Sequence, residues 1–267
     1  MAKVLTEEKK RREVALGMIK RYTGSSPTEF FPHILLTNFD YYFNKFAENF
    51  PVVKKHGSII EVAHAPYEKV SMINFRIGAP TAGMLIDILS YINPKAVLML
   101  GMCGGLHPRV KLGEFILPMA AIRNEGTSGF YMPPQVPALP TFKIQKILSE
   151  VLGRMRIPYK TGVVHTTDYR FWEFDQKFRE LLREQRAIAI EMECSTLFVA
   201  GFRRKTPVGA LLLVSDLPLE KGGIKSHKSS EAVFRRYAQT HLEAGLRTLK
   251  TVQSLKNEKI NIRHFQW

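Results

Sequence analysis

The feature that most constrains this chain is a run of five apolar residues, Ala96-Val-Leu-Met-Leu100, with no polar alternation. A strand with one wet face alternates polar and apolar residues. A run without alternation is covered on both faces, as in a parallel sheet flanked by helices. It leads into Gly101-Met-Cys-Gly-Gly105, which reads as a tight strand-to-helix turn. The same grammar repeats along the chain. Short apolar runs at 33–37, 59–63, 70–77, 115–122, 160–165, 187–190 and 208–214 read as strands. Segments 5–21, 41–50, 84–91, 141–154, 174–185, 195–203 and 231–255 read as helices, and 131–140 as a proline-rich loop. The expectation is a single α/β domain over 31–267, with a central mixed, largely parallel β-sheet flanked by helices. A basic helical extension over 1–30 precedes it.

Charge and cysteine usage narrow the partners. The formal net charge is +15, but residues 1–21 hold seven Lys/Arg against three Glu, and residues 221–267 hold ten against three. The excess therefore sits at the two ends, where it solvates helix faces or draws in small anions. Nucleic acid is not the expected partner, because no interleaved basic and aromatic motif accompanies the charge. Two cysteines, Cys103 and Cys194, cannot build a disulfide framework. The charged N-terminus lacks the apolar core of a signal peptide, and no window resembles a membrane span, so the expected location is the cytoplasm.

In open α/β sheets ligands bind beyond the carboxyl ends of the strands. Four such places are glycine-rich or acidic: residues 78–83, Gly101-Met-Cys-Gly-Gly105, Glu191-Met-Glu193 and Ser215-Asp216. None is a dinucleotide GxGxxG or a P-loop, and there is no HExxH or histidine cluster for a metal. Each also has an ordinary structural reading, as a tight turn, a helix cap or an ion-paired carboxylate.

Taken in order, these motifs resemble the nucleoside phosphorylase/nucleosidase superfamily. The resemblance implies a glycine turn after the central strand, with Gly104 and Gly105 at the substrate. It places a Met192-Glu193 pair under the ribose and a Ser215-Asp216 pair addressing the purine N7. Further stretches are similar to the AMP nucleosidase family: Leu36-Thr-Asn-Phe39, Thr161-Gly-Val-Val-His-Thr-Thr-Asp168, Arg170, Trp172-Glu173, Ala189-Ile-Glu-Met-Glu193 and Ile224-Lys225. That likeness implies hydrolysis of AMP to adenine and ribose 5-phosphate, in a homo-oligomer expected to be a hexamer. Longer members of the family carry an N-terminal regulatory domain, and the residues before His33 are too few for it. The resemblance sets Met99 and Met102 where hexameric purine phosphorylases place an Arg and a Ser. A thioether cannot hold orthophosphate, so water is the expected nucleophile. Against that, Arg123-Asn-Glu-Gly-Thr-Ser128 resembles a segment of uridine-phosphorylase-like members, which keeps a phosphorylase as the alternative. A noncatalytic nucleotide- or RNA-binding protein is the second alternative.

On this reading Asp216 is the general acid for the leaving base, oriented by Ser215. Glu193 holds the ribose hydroxyls, and Asp40 positions or deprotonates water. Phe171 or Trp172 stacks on the purine, in the loop after Thr167 and Asp168. Donors for the 5′-phosphate are sought among Thr81, Arg123, Arg170 and Lys225, with backbone N–H groups at a helix start. No metal or organic cofactor is implied.

Overall fold

The computed structural model describes residues 2–220, 223 and 227–255. Sixteen elements alternate along the chain. They are α1 (Ala2–Thr23), β1 (His33–Thr37), α2 (Asp40–Asn49), β2 (Val53–His56), β3 (Glu61–Ala65), β4 (Val70–Asn74), α3 (Ala79–Leu89) and β5 (Ala96–Gly105). There follow β6 (Phe115–Asn124), α4 (Phe142–Arg154), β7 (Tyr159–Thr167), α5 (Gln176–Glu184), β8 (Ala189–Glu191), α6 (Cys194–Arg204), β9 (Val208–Asp216) and α7 (His227–Ser254). The strands form one mixed sheet in the order β2-β3-β4-β1-β5-β8-β7-β6-β9. A further β5–β9 pairing closes β5, β8, β7, β6 and β9 into a ring.

The apolar runs explain the layers. All ten residues of β5 and all nine of β9 are buried, as strands covered on both sides must be. Alternate residues of β1 serve different cores. Ile34 and Leu36 pack with Leu85 and Leu89 of α3 and Leu197 of α6, whereas Leu35 packs with Phe46 of α2, Leu148 of α4 and Leu242 of α7. α1 lies on the first of these layers, with Ile19 fully buried in it.

The structure departs from the sequence expectation at three points. Gly101–Gly105 is not a turn but the second half of β5. Its register against β9 shifts between Cys103 and Gly104, and Gly104 and Gly105 then pair antiparallel with Ile190 and Ala189 of β8. The bulge bends the strand and closes the ring. Side chains do not fit there, since a Cβ on Gly105 would meet Leu217 and Val110 at 2.8 Å. α3 starts at Ala79 rather than near residue 84, because Gly78, with φ of 102°, turns the chain and Pro80 occupies the first helical turn. β2 was not expected at all. It is the polar edge strand of the sheet, with Val53, Lys54 and His56 exposed and Lys55 half-buried, so no apolar pattern marks it.

Candidate active site

The carboxyl ends of β5 and β9, the β8–α6 junction and the loop after β7 enclose a cavity of about 260 Å³. Gly104 and Met102 come to it from β5, Ser215 and Asp216 from β9, Met192 and Glu193 from the junction, and Thr167, Arg170 and Trp172 from β7 and its loop. The Ser215 hydroxyl donates to Asp216 Oδ1 at 2.5 Å, which fixes the carboxyl group. A Cβ on residue 104 would lie 3.3 Å from Asp216 Oδ2, so glycine leaves that oxygen room.

Glu193 stands at the N-cap position of α6, and its Oε1 accepts from the Gly78 N–H at 2.8 Å rather than from the helix. Burial and then the charge of neighbouring Glu191 push its carboxyl up to about 8; the Gly78 N–H and the Asn38 side chain pull the other way. Glu191 is held from several sides. Thr166 Oγ1 donates to its Oε1, and the N–H groups of Glu193 and Cys194 donate to Oε2 at 2.7 Å each. Burial pushes this carboxyl up as well, and these donors oppose the push. Glu191 has the fuller set of donors, so its charged form is the better supported of the two.

Other candidates lie outside this lining. Asp40, at the start of α2, is ion-paired with Arg76 and accepts from Asn74 Nδ2 at 2.6 Å. Arg123 is committed to the loop that follows β6. Its guanidinium donates to Ser128 Oγ and to the carbonyls of Met132, Pro133 and Val136, at 2.5–2.9 Å. Four of its five N–H donors are used there, so it anchors that loop. Asp168 accepts from the Gly126 N–H at 2.9 Å and ties two loops together. Gly105 serves the β5–β8 pairing, Phe171 points to solvent at 69% exposure, and Thr81 is half-buried in the first turn of α3. Lys225 lies outside the described residues.

Several lining residues had no role in the sequence reading, three of them bearing carboxyl or amide groups. Asn38, Glu191 and Glu173 all stood inside quoted motifs, and that was their only signal. Arg170 is the one basic residue lining the cavity among the described residues, and its Nη1 donates to Glu173 Oε1 at 2.9 Å. No group of three His, Cys, Asp or Glu suited to a metal occurs among the described residues. The lining brings together carboxyl groups, a serine and an aromatic wall.

The model of the phosphorylase superfamily matches residues 26–250. The chain belongs to the phosphorylase superfamily. The AMP nucleosidase of Escherichia coli K12 is 27% identical over 92% of this chain, and the chain spans about 60% of that relative's length. A crystal structure of AMP nucleosidase from Bacteroides thetaiotaomicron superposes with a TM-score of 0.80 at 39% identity, covering 91% of this chain and 98% of that one. Uridine phosphorylase from Vibrio fischeri shares the fold, with a TM-score of 0.75 at 22% identity over 84% of this chain and 93% of that one. Among the described residues no helix is long and apolar enough to cross a membrane. The superfamily and α/β architecture expected from the motifs are those found.

Proposed function

We propose that the protein hydrolyses the N-glycosidic bond of AMP to adenine and ribose 5-phosphate. One observation carries the reading: Asp216 from β9 and Glu193 from the β8–α6 junction meet in one cavity whose lining also holds Met102. The likeness to two AMP nucleosidases supports it.

Cleavage breaks the bond from C1′ to the base and passes through an oxocarbenium-like sugar. Asp216 delivers a proton to the base N7, so adenine departs neutral, and Ser215 holds the acid in place. Glu193 accepts from the ribose hydroxyls. Those donors favour its charged form once substrate is bound, against the burial that raises it in the empty site. Met192 packs beneath the sugar, and Trp172, 5% exposed, offers the flat wall for the base. Water adds to C1′ and releases a proton, which replaces the one Asp216 gave.

Water rather than orthophosphate fits the lining. Met102 cannot hold a dianion, and Arg170 is already tied to Glu173. The 5′-phosphate of the substrate is assigned to the mouth, where Ile77 leads into the start of α3. Thr81 and first-turn N–H groups there suit an anion, and Lys225, outside the described residues, stays a candidate donor from the sequence. The same reading takes residues 31–267 as the catalytic domain, with 1–30 as a helical extension, working without a cofactor in a cytoplasmic homohexamer.

Incubation with AMP in phosphate-free buffer, followed by chromatography, tests the proposal. Adenine and ribose 5-phosphate are expected, with turnover roughly 10²–10⁴-fold lower in Asp216→Asn while AMP binding persists. Ribose 1,5-bisphosphate formed only with added orthophosphate would move the assignment to a phosphorylase. No base release at all would leave a nucleotide-binding protein.

A further inference from the structure

Glu173 has no part in the chemistry above, yet it is the most constrained carboxylate on its wall of the cavity. Its side chain is 4% exposed, and it lines the cavity beside Trp172. One oxygen, Oε1, accepts from Arg170. The other, Oε2, is buried and has no hydrogen-bond partner among the described residues. Leaving a buried carboxylate oxygen unpartnered is costly, and such an atom in a ligand cavity marks where a donor of the ligand belongs.

The three parts of the substrate can be tried against it. A phosphate is an anion and is repelled by a carboxylate. The ribose hydroxyls are served by Glu193, which comes from the β8–α6 junction rather than from this loop. The base remains, and it meets the wall formed by Trp172 next in sequence. Adenine carries one exocyclic donor group, the 6-amino group, whereas a 6-oxopurine in the same pose presents an acceptor to an acceptor.

We propose that Glu173 determines base specificity, with Oε2 accepting from the 6-amino group of adenine while Arg170 holds the carboxylate in register. The proposal rests on the reading of the cavity as the AMP site. A site built around a substrate N–H rejects the analogue without it more strongly than an apolar pocket rejects a small change in size. Wild type should therefore favour AMP over IMP by at least about 10²-fold in kcat/KM.

The test compares AMP, IMP and purine riboside 5′-monophosphate, which has hydrogen at C6, in wild type and Glu173→Gln. The amide of Gln can turn its NH₂ toward O6, so the AMP/IMP ratio should fall at least about tenfold, through loss on AMP and gain on IMP. Purine riboside monophosphate makes no contact at C6, so the variant should process it within about threefold of wild type, which also reports on the fold. Glu173→Asp, which keeps the charge and withdraws the oxygen, should lose AMP cleavage without gaining IMP. An unchanged AMP/IMP ratio, or an equal loss on all three nucleotides, would overturn the assignment of Glu173 while leaving the AMP reading intact. A wild type that releases no base from any of them would overturn the AMP reading, and this proposal with it.

Discussion

Tyr42 and His241 are as deeply buried as Glu191 and Glu193, yet the two pairs are built differently. In the core, Tyr42 donates to His241 Nδ1 at 2.7 Å, and His241 Nε2 donates to the Leu211 carbonyl at 3.0 Å. Burial pushes the imidazole down to about 3, so it stays neutral and its tautomer is fixed by its partners. Gln145 is used just as fully, giving to Pro118 and Ala210 carbonyls and accepting from the Ala210 N–H. In the cavity the partners run out. Glu173 Oε2 and Asn38 Oδ1 have none among the described residues, and Glu193 is pushed up to about 8 by burial and a neighbouring charge. Buried polar groups that are satisfied and neutral hold β9, α2 and α7 together. Unpartnered atoms also occur away from the cavity, at His33 and Thr206, but those that line it, with the carboxylates crowded by like charge, stand where a ligand can complete the set.

The largest expected effect tests the core side of this contrast. His241→Leu strands the Tyr42 hydroxyl and the Leu211 carbonyl in an apolar layer. Two buried groups losing their partners should cost about 2–4 kcal/mol. Tm should fall by roughly 5–15 °C, while turnover per folded molecule stays near wild type. A large loss of turnover at unchanged Tm would break the division between the two regions.

The next effect has the opposite sign. Glu193 ionises near the ordinary 4.5 in the unfolded chain and near 8 in the folded one. Its contribution is therefore harmless below pH 4.5 and becomes steadily destabilising as pH rises toward 8, because the unfolded chain gives up a proton the folded chain retains. Glu193→Gln removes that titration and still accepts from the Gly78 N–H. It should be more stable than wild type by about 1–3 kcal/mol at pH 8, with little gain at pH 5, and should cleave AMP poorly. Thermal melts across that range check this, and a gap in Tm that does not widen with pH would remove Glu193 as the buried titrating group.

How far the sequence reached follows the same line. β1, β5 and β9 were legible because non-alternating apolar runs have one structural meaning, and their carboxyl ends then pointed to Ser215-Asp216. The bulge in β5 was not legible, since it arises from pairing with β8, which is distant in sequence. Arg123 looked like a phosphate ligand by residue type alone. In the structure it donates to Ser128 Oγ and to three carbonyls in a loop whose path the sequence does not disclose. Glu191 was visible in an acidic motif, but its work needs Thr166 on the neighbouring strand. Propensity reports what an element buries; it does not report which polar groups meet across elements.

Asp40 gives the smallest expected effect and the sharpest use of the comparison. The sequence put it at the water-activating position. In the structure its side chain is 65% exposed and ion-paired with Arg76, while its neighbours Asn38 and Phe39 line the cavity. Asp40→Ala removes an exposed pair, which is worth roughly 0.2–1 kcal/mol. Little else is stranded, because Arg76 keeps Glu61 at 2.9 Å and buried Asn74 still donates to Glu61 at 3.0 Å. An oxocarbenium-like centre is electrophilic enough to capture a positioned water without a strong base. AMP turnover should therefore fall by less than about threefold, below the 10²–10⁴ scale of acid–base catalysis. A drop of that larger size, with Tm unchanged, would return Asp40 to the chemistry. It would also show that an exposed, fully paired carboxylate just outside the cavity can do what the unsatisfied ones inside are built to do.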